Sequence, residues 1–292
     1  TNTGSEINKF WTAAYKGIEY ANNFVYNLEH SELYDTEDTE IMQMMGEAKV
    51  IRAMFYHDLV VMFGDVPFTF IPAYEAEVSG YEDGEGNKFL PPVTDREQIH
   101  KKLIEDLKLI APYMSFARDM TDGVERVSKE FCWSMIARMA LTCGGYSLRP
   151  NTSDPKNYGT MERPSNYKEY YDITRQYCDS VISSGTHMLN TPYNKVFIDQ
   201  CNYRVNSNDD PIFEIPFAKN STGKVGYLQG PTGENYEGTT SGKNFWGKSN
   251  GNTRFSAFYR YSFDEDDLRR DYLNGLWYYL YDGKPNMRND YT

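Results

Sequence analysis

Little in this chain suits a metal, a nucleic acid or a bilayer. Only four cysteines and four histidines occur in 292 residues, with no CxxC, no HExxH and no EF-hand spacing. Zinc needs such clusters of thiolate and imidazole, so neither a metal site nor a cofactor is expected, although NSNDDP and DEDD leave calcium open. Serine and threonine nucleophiles lack a GxSxG setting. Basic residues number 30 against 42 acidic ones, a formal net charge of −12. Affinity for phosphate backbones rests on surplus Lys and Arg, so nucleic acid is excluded as a partner and attachment to anionic lipid is disfavoured. A neutral ligand or a protein partner fits this balance better. No apolar run approaches the roughly 18 residues that a membrane helix needs. Neither an N-terminal Met nor a signal-peptide core is present, so Thr1 reads as a cut end whose targeting segment has been removed.

The few cysteines read as buried small hydrophobes. Cys132 and Cys143 share one expected helix at a separation of about 16 Å, beyond the reach of a disulfide. Cys178 and Cys201 are free to meet, but nothing requires it. His30, His57, His100 and His187 are scattered and read as surface or helix-end residues. What the chain has in plenty is aromatic: 25 Tyr and 16 Phe, more than a core needs. Tyrosine offers an apolar body with a polar tip, which suits a recognition surface.

Hydrophobic spacing predicts helices over most of the first 190 residues. Trp11, Ala14, Ile18, Ala21, Val25 and Leu28 recur at three- and four-residue steps over 6–30. Over 38–63, Ala48, Ile51, Phe55, Leu59 and Met62 form one stripe and Ala53, Tyr56, Val60 and Phe63 a second. A helix with two apolar stripes is covered on more than one side. Gly64 suits a left-handed C-cap, Pro67 stops the helix resuming, and Asp65 is expected to bond the neighbouring N–H groups of the turn. An irregular loop over 71–93 leads to a capping box, Thr94 with Glu97, and a helix to about Tyr113. Ser128 is expected to cap the next helix, whose face carries Trp133, Ile136, Ala140 and Cys143 before Gly144-Gly145 ends it. A further helix begins at Ser165 and runs through Tyr170, Ile173, Tyr177, Val181 and Ile182 to Ser-Ser-Gly. Trp11 and Trp133, on helix faces, read as core.

The period then changes. DPIFEIPFA at 210–218 alternates and reads as a short strand, as does the aromatic LWYYLYDG, after which no closing element is legible. Between them, 219–253 is rich in Gly and Asn and too long for a plain connector. The expected fold class is mainly α, with tetratricopeptide-like helix pairs and a loop-rich region carrying a few short strands. No 34-residue repeat is legible.

GEAKVIRAMFYHDLVVMFGDVP resembles the signature helix and turn of the SusD/RagB family of nutrient-binding proteins. The matching positions are Gly46-Glu47-Ala48, Arg52-Ala53, Phe55-Tyr56, Leu59-Val60 and Phe63 to Pro67. The preceding helix, with Trp11, Tyr15, Ile18 and Asn22, is also similar to the family's. So are 128–148, YYDITRQYCDSVISSGTHML, DDPIFEIPF and DLRRDYL. The resemblance implies one SusD-like domain over 1–292, with a helical scaffold to about 190 and a loop-rich ligand side over 191–292. It implies a non-enzymatic protein, lipid-anchored on the outer face of the outer membrane, that hands glycan, or in some members peptide, to a TonB-dependent, SusC-like transporter. The anchoring segment and the family's C-terminal portion lie outside this chain.

The family has no fixed ligand set, so the site must be chosen from chemistry. A sugar offers apolar C–H faces and a rim of hydroxyls, which calls for rigid rings beside Asn, Gln or Arg. Tyr227, Gln229, Asn235, Tyr236, Asn244, Phe245, Trp246 and Arg254 provide these in the long loop, with Tyr74 and Tyr81 as a second set. Trp277, Tyr278 and Tyr279 sit in a strand-like run and are weaker candidates. Two alternatives stay open: a helical interaction scaffold that binds no small ligand, and a glycosidase whose two carboxylates come from Glu82-Asp83-Glu85 and from 264–267. Both acidic runs look solvated, which argues against the second.

Overall fold

The structure is a computed structural model and describes residues 4–78, 91–149, 159–189, 192–205, 209–218, 223, 256–273, 277–279 and 285–287. Two compact units are present. One holds Thr1–Asn190 with Val205–Glu214, and the other Thr191–Arg204 with Ile215–Thr292. The fold is mainly helical.

The first unit is a succession of packed helices: α1 (Ser5–Glu29), α2 (Thr39–Phe63), α3 (Ala73–Val78), α4 (Arg96–Ile110), α5 (Lys129–Gly144) and α6 (Tyr167–Ser183). Helix α2 packs against α1, α4 and α5 together, which is why it needs two apolar stripes. Ala53, Tyr56, Leu59 and Val60 are fully buried, whereas Met62 and Phe63 at its end reach solvent. On α1, Ala14, Ile18, Ala21 and Val25 are buried, as their spacing predicts. Two glycines let elements approach closely. A Cβ on Gly17 would lie 2.4 Å from the Phe55 ring, and one on Gly46 2.6 Å from Met114. Trp11 and Trp133 pack against the core half-buried rather than inside it.

Helix starts follow local chemistry. Asp38 accepts from the N–H groups of Glu40 and Ile41, and Ser128 from Phe131, so both helices begin where short oxygen acceptors meet free donors. At α4 the cap is Asp95, not Thr94. Its carboxylate accepts from Glu97 and Gln98, while Thr94 lies in a strand and donates to the Pro92 carbonyl. Asn166, whose side chain accepts from no N–H of the first turn, stands at the N-cap of α6 in place of Ser165.

The turn after α2 also differs from expectation. Gly64 has φ 82° and ψ −123°, a positive-φ conformation outside the left-handed helical well that only glycine takes without strain. Asp65 does not bond its neighbours; its carboxylate accepts from the Arg96 N–H, at 2.9 Å, at the first turn of α4. The two-residue strand β1 (Val66–Pro67) then pairs antiparallel with β2 (Val93–Thr94). After α5, β3 (Ser147–Arg149) pairs antiparallel with β4 (Thr160–Glu162), Leu148 facing Met161.

The stretch 210–218 is not a strand. Phe213 stacks on Phe131 of α5 at 4.2 Å and the Glu214 N–H donates to Val124 O, without a strand partner. Ile212 and Phe213 both pack against the core, whereas 215–218 are exposed, so burial does not follow the sequence alternation. The second unit contains α7 (Tyr193–Cys201), the short helices Ala257–Tyr261 and Leu268–Leu273, and the antiparallel strands β5 (Trp277–Tyr279) and β6 (Pro285–Met287). The aromatic strand thus has a partner that the sequence reading missed. Cys132 and Cys143 are buried, and burial pushes their thiols up to about 12 and about 11. Cys178 and Cys201 are exposed, contrary to expectation, because each falls on an outward helix position.

A polar knot lies within this apolar assembly. The Arg52 guanidinium is buried, donates to Asn22 Oδ1 at 2.9 Å and to Asp106 Oδ2 at 2.7 Å, and lies 3.9 Å from the Phe70 ring centre. Lys49 reaches the other Asp106 oxygen at 2.8 Å. Tyr56 Oη donates to Thr69 O and accepts from Thr69 N–H, Asn22 donates to the same carbonyl, and Tyr15 Oη donates to Pro67 O. The FTF that follows the turn is therefore tied to α1 and α2 by side chains. Breaking a buried ion pair leaves an uncompensated charge, so Asp106→Ala should cost about 3 kcal/mol in urea unfolding. The exposed Lys9–Glu6 pair serves as control, and Glu6→Ala should change stability by less than about 0.5 kcal/mol.

Two histidines are also inside, not on the surface. His57 Nδ1 lies 3.2 Å from His100 Nε2. Burial, then the charges of Arg138 and Arg96, pulls His57 down to about 4; burial, then His57, Arg96 and Arg149, pulls His100 down to about 3. Below the unfolded value of about 6.5 the unfolded chain takes up protons that the fold refuses. This contribution to stability is whole above pH 6.5 and declines as pH falls toward about 4. Denaturant midpoints measured across that range should fall more steeply for wild type than for the His57→Gln/His100→Gln variant.

Candidate functional site

Among the residues singled out from sequence, Tyr74 lies in the described structure. Tyr227, Gln229, Asn235, Tyr236, Asn244, Phe245, Trp246, Arg254 and Tyr81 lie outside the described residues, as do Glu82, Asp83 and Glu85. Trp277, Tyr278 and Tyr279 form β5.

Tyr74 belongs to a cluster built by the end of α1 and the start of α3. The Ala73 N–H donates to Glu19 Oε1 at 2.9 Å, which fixes the first turn of α3 on α1. Glu19 also receives the Asn23 amide, and Asn27 donates to Asn23 O, so a ladder of amides lines this side of α1. Tyr74 Oη donates to Asn27 Oδ1 at 3.1 Å. Its ring, 43% exposed, meets Tyr26 edge-on at 6.0 Å. Tyr26 in turn stacks on His30 at 4.1 Å. His30 Nδ1 lies 2.7 Å from the Tyr26 carbonyl, which can only accept, so Nδ1 carries the proton and Nε2 is left to face outward. Partial burial, then a hydrogen bond to the Glu75 carboxylate, raises the Tyr26 phenol above its ordinary value.

The arrangement offers ring faces held by T-shaped and stacked contacts, with amide, imidazole and carboxylate groups around the rim. Such a surface can receive an apolar face and bond hydroxyls beside it. Tyr26, Asn27 and His30 were missed because their spacing on α1 reads as ordinary helix surface. The usable signal was the run of amides beside tyrosines at the end of that helix.

Asp267 is fully engaged by Arg269, whose side-chain and backbone hydrogen bonds hold it down at about 2, the opposite of a raised general acid. Glu130 is fully buried on α5. It accepts from the Ala117 N–H and places its other oxygen 4.0 Å from His187 Nε2. No group of three or more His, Cys, Asp or Glu side chains able to hold a metal occurs among the described residues.

Residues 1–141 match the family profile described as SusD-like, starch-binding, associating with the outer membrane. A SusD homologue from Bacteroides thetaiotaomicron superposes with a TM-score of 0.74 at 21% identity, covering 98% of this chain and 50% of that one. The fold is SusD-like. Surface glycan-binding protein A from Bacteroides uniformis gives a TM-score of 0.65 at 17% identity, over 97% of this chain and 52% of that one. The protein of that name from Bacteroides thetaiotaomicron, solved with laminarihexaose, gives 0.62 at 13% identity, over 97% and 54%. This SusD-like chain spans about half the length of those structures. No curated protein matches by sequence. Within the SusD-like fold the signature helix and turn are the knot around Arg52, and among the described residues no helix is long and apolar enough to cross a membrane.

Proposed function

We propose that this chain is part of a cell-surface glycan-binding protein, without enzymatic activity, that passes oligosaccharide to a TonB-dependent transporter of SusC type. The reading includes a lipid anchor on the outer face of the outer membrane and one SusD-like domain, helical scaffold to about 190 and loop-rich ligand side beyond. The observation that carries it is the SusD-like fold bearing an exposed, braced tyrosine cluster at Tyr74. Two separate ligand sets are proposed, Tyr227, Asn235, Tyr236, Asn244, Phe245, Trp246 and Arg254 in the long loop, and Tyr74 with Tyr81 beside it in sequence. The carboxylates near Tyr74, Glu19 and Glu75, favour a neutral glycan there.

Calorimetry against a polysaccharide panel tests this, with laminarin as the first member because one structural neighbour was solved with laminarihexaose. A cognate glycan should bind with weak dependence on salt, since stacking and neutral hydrogen bonds carry the contact. Removing one stacking ring should cost about 1 kcal/mol, roughly five- to tenfold in Kd, in Tyr74→Ala, Tyr236→Ala and Trp246→Ala. Unchanged binding in all three sinks the site. Release of reducing ends would favour the glycosidase. Co-purification of a transporter with no glycan bound by any panel member would favour the interaction scaffold, and tighter binding of peptides would point to a peptide carrier.

A further inference from the structure

The β3–β4 ribbon carries a second surface, remote in sequence from Tyr74 and unused by the reading above. Side chains alternate along a strand, and paired residues share a face. Leu148 faces Met161 across the ladder, and both are exposed. Tyr146 and Arg163 stand one step beyond this pair on the same face, and their contact fits that placement: the guanidinium carbon lies 4.9 Å from the Tyr146 ring centre. It also lies 3.5 Å from the Tyr167 ring at the start of α6. Tyr167 is braced in turn by Tyr171, edge-on at 5.6 Å.

Arg163 is thus held against two rings before any ligand arrives. Stacking occupies the faces of a guanidinium and leaves its N–H edge free to donate two parallel hydrogen bonds. Among the described residues no carboxylate or other acceptor meets that edge. Arg52, Arg126, Arg149 and Arg260 each reach a carboxylate at 3.1 Å or less. The nearest acids in sequence are otherwise placed. Glu162 pairs with Ser147 on the opposite ribbon face, Asn166 donates to Glu169, and Asp172 faces Arg175. Tyr146 remains 62% exposed, so an open ring surface adjoins the free donor edge, with Leu148 and Met161 as an apolar border.

We propose that this ribbon face is a separate binding site for a carboxylate-bearing sugar, a uronic acid residue of an acidic oligosaccharide. The sugar's C–H face lies on Tyr146 while its carboxylate takes the forked N–H edge of Arg163. A planar anion next to an apolar ring face matches both halves of the surface, which a neutral sugar or a simple anion does not. The chain's net charge of −12 does not forbid this, because charges beyond about 8 Å are screened at physiological salt.

The test is titration of the whole chain with hexagalacturonate and with its fully methyl-esterified, neutral counterpart. Hexagalacturonate should bind, weaken as salt rises, and lose roughly tenfold or more in Kd in Arg163→Gln. Arg163→Lys keeps the charge without the fork and should fall between wild type and Arg163→Gln. Tyr146→Ala should weaken both the charge variants' residual binding and wild-type binding, with thermal midpoints confirming that each variant is folded. Equal affinity for the esterified hexamer, unchanged binding in Arg163→Gln, or no binding of hexagalacturonate overturns the proposal. So does displacement by a peptide whose C-terminal carboxylate binds more tightly. Arg163→Gln should leave binding of the neutral panel glycan unchanged, which separates failure here from failure of the glycan reading above.

Discussion

A guanidinium taken out of water must be surrounded by oxygen acceptors, and Arg52 gathers its acceptors from elements distant in sequence. Asn22 comes from α1 and Asp106 from α4, and the Phe70 ring from the segment after the turn covers the guanidinium face. An uncompensated charge inside a protein costs several kcal/mol, so the helices cannot slide past one another without exposing that cost. Apolar stripes on α1, α2 and α4 would tolerate many registers. The buried charge selects one. Its Nε, without a partner, shows that the arrangement gives up some hydrogen bonding for that specificity.

From this point the geometry of the candidate site follows. Tyr15, Asn22 and Tyr56 hold the carbonyls of Pro67 and Thr69, so the chain leaves the helical pack in a fixed direction rather than as a swinging loop. Asp65 meanwhile joins the turn to the first residue of α4. The short helix α3 then lands on the side of α1 where Glu19 can receive its first N–H, and Tyr74 is delivered to Tyr26 and Asn27. Because α3 is only six residues, it could not hold this position by its own hydrogen bonding. The tyrosine surface is therefore a consequence of the buried knot, transmitted through a pinned turn. Fixing rings in advance lowers the entropy lost when a ligand settles on them.

The parts of this arrangement that repeat every three or four residues were legible in the sequence, because burial on a helix imposes that period directly. Helices α1, α2, α5 and α6 fall within a few residues of where their stripes place them. Features that depend on a partner far along the chain were not legible. Thr94 and Asp95 are both good caps, and only the approach of Arg149 to Asp95 and of β1 to β2 separates them. His57 and His100 look like surface residues until two helices bring them face to face. The stretch at 210–218 alternates in sequence like a strand, yet the adjacent Ile212 and Phe213 both pack on the core and 215–218 are exposed, so period alone did not reveal how it is held. For the candidate site, ring and amide content drew attention to Tyr74, whereas Tyr26 and His30, which contact it or its neighbour, were hidden within a regular helix.

The two described tyrosine surfaces also show why net charge is a poor guide to ligand charge. Around Tyr74 the rim is amide and carboxylate, and Glu75 has already raised the Tyr26 phenol, so an incoming anion would meet like charge at short range. At Tyr146 the nearest fixed charge is a guanidinium, and the acids close in sequence are turned to the other ribbon face or engaged elsewhere. Screening makes these first few ångströms decisive and the remaining surface nearly silent. A strongly acidic chain can therefore carry one surface suited to neutral hydroxyls and another suited to a carboxylate. The difference rests on whether the arginine at such a surface meets a carboxylate of the fold. Contact with Tyr146 and Tyr167 holds the Arg163 guanidinium in place without occupying its hydrogen-bonding edge.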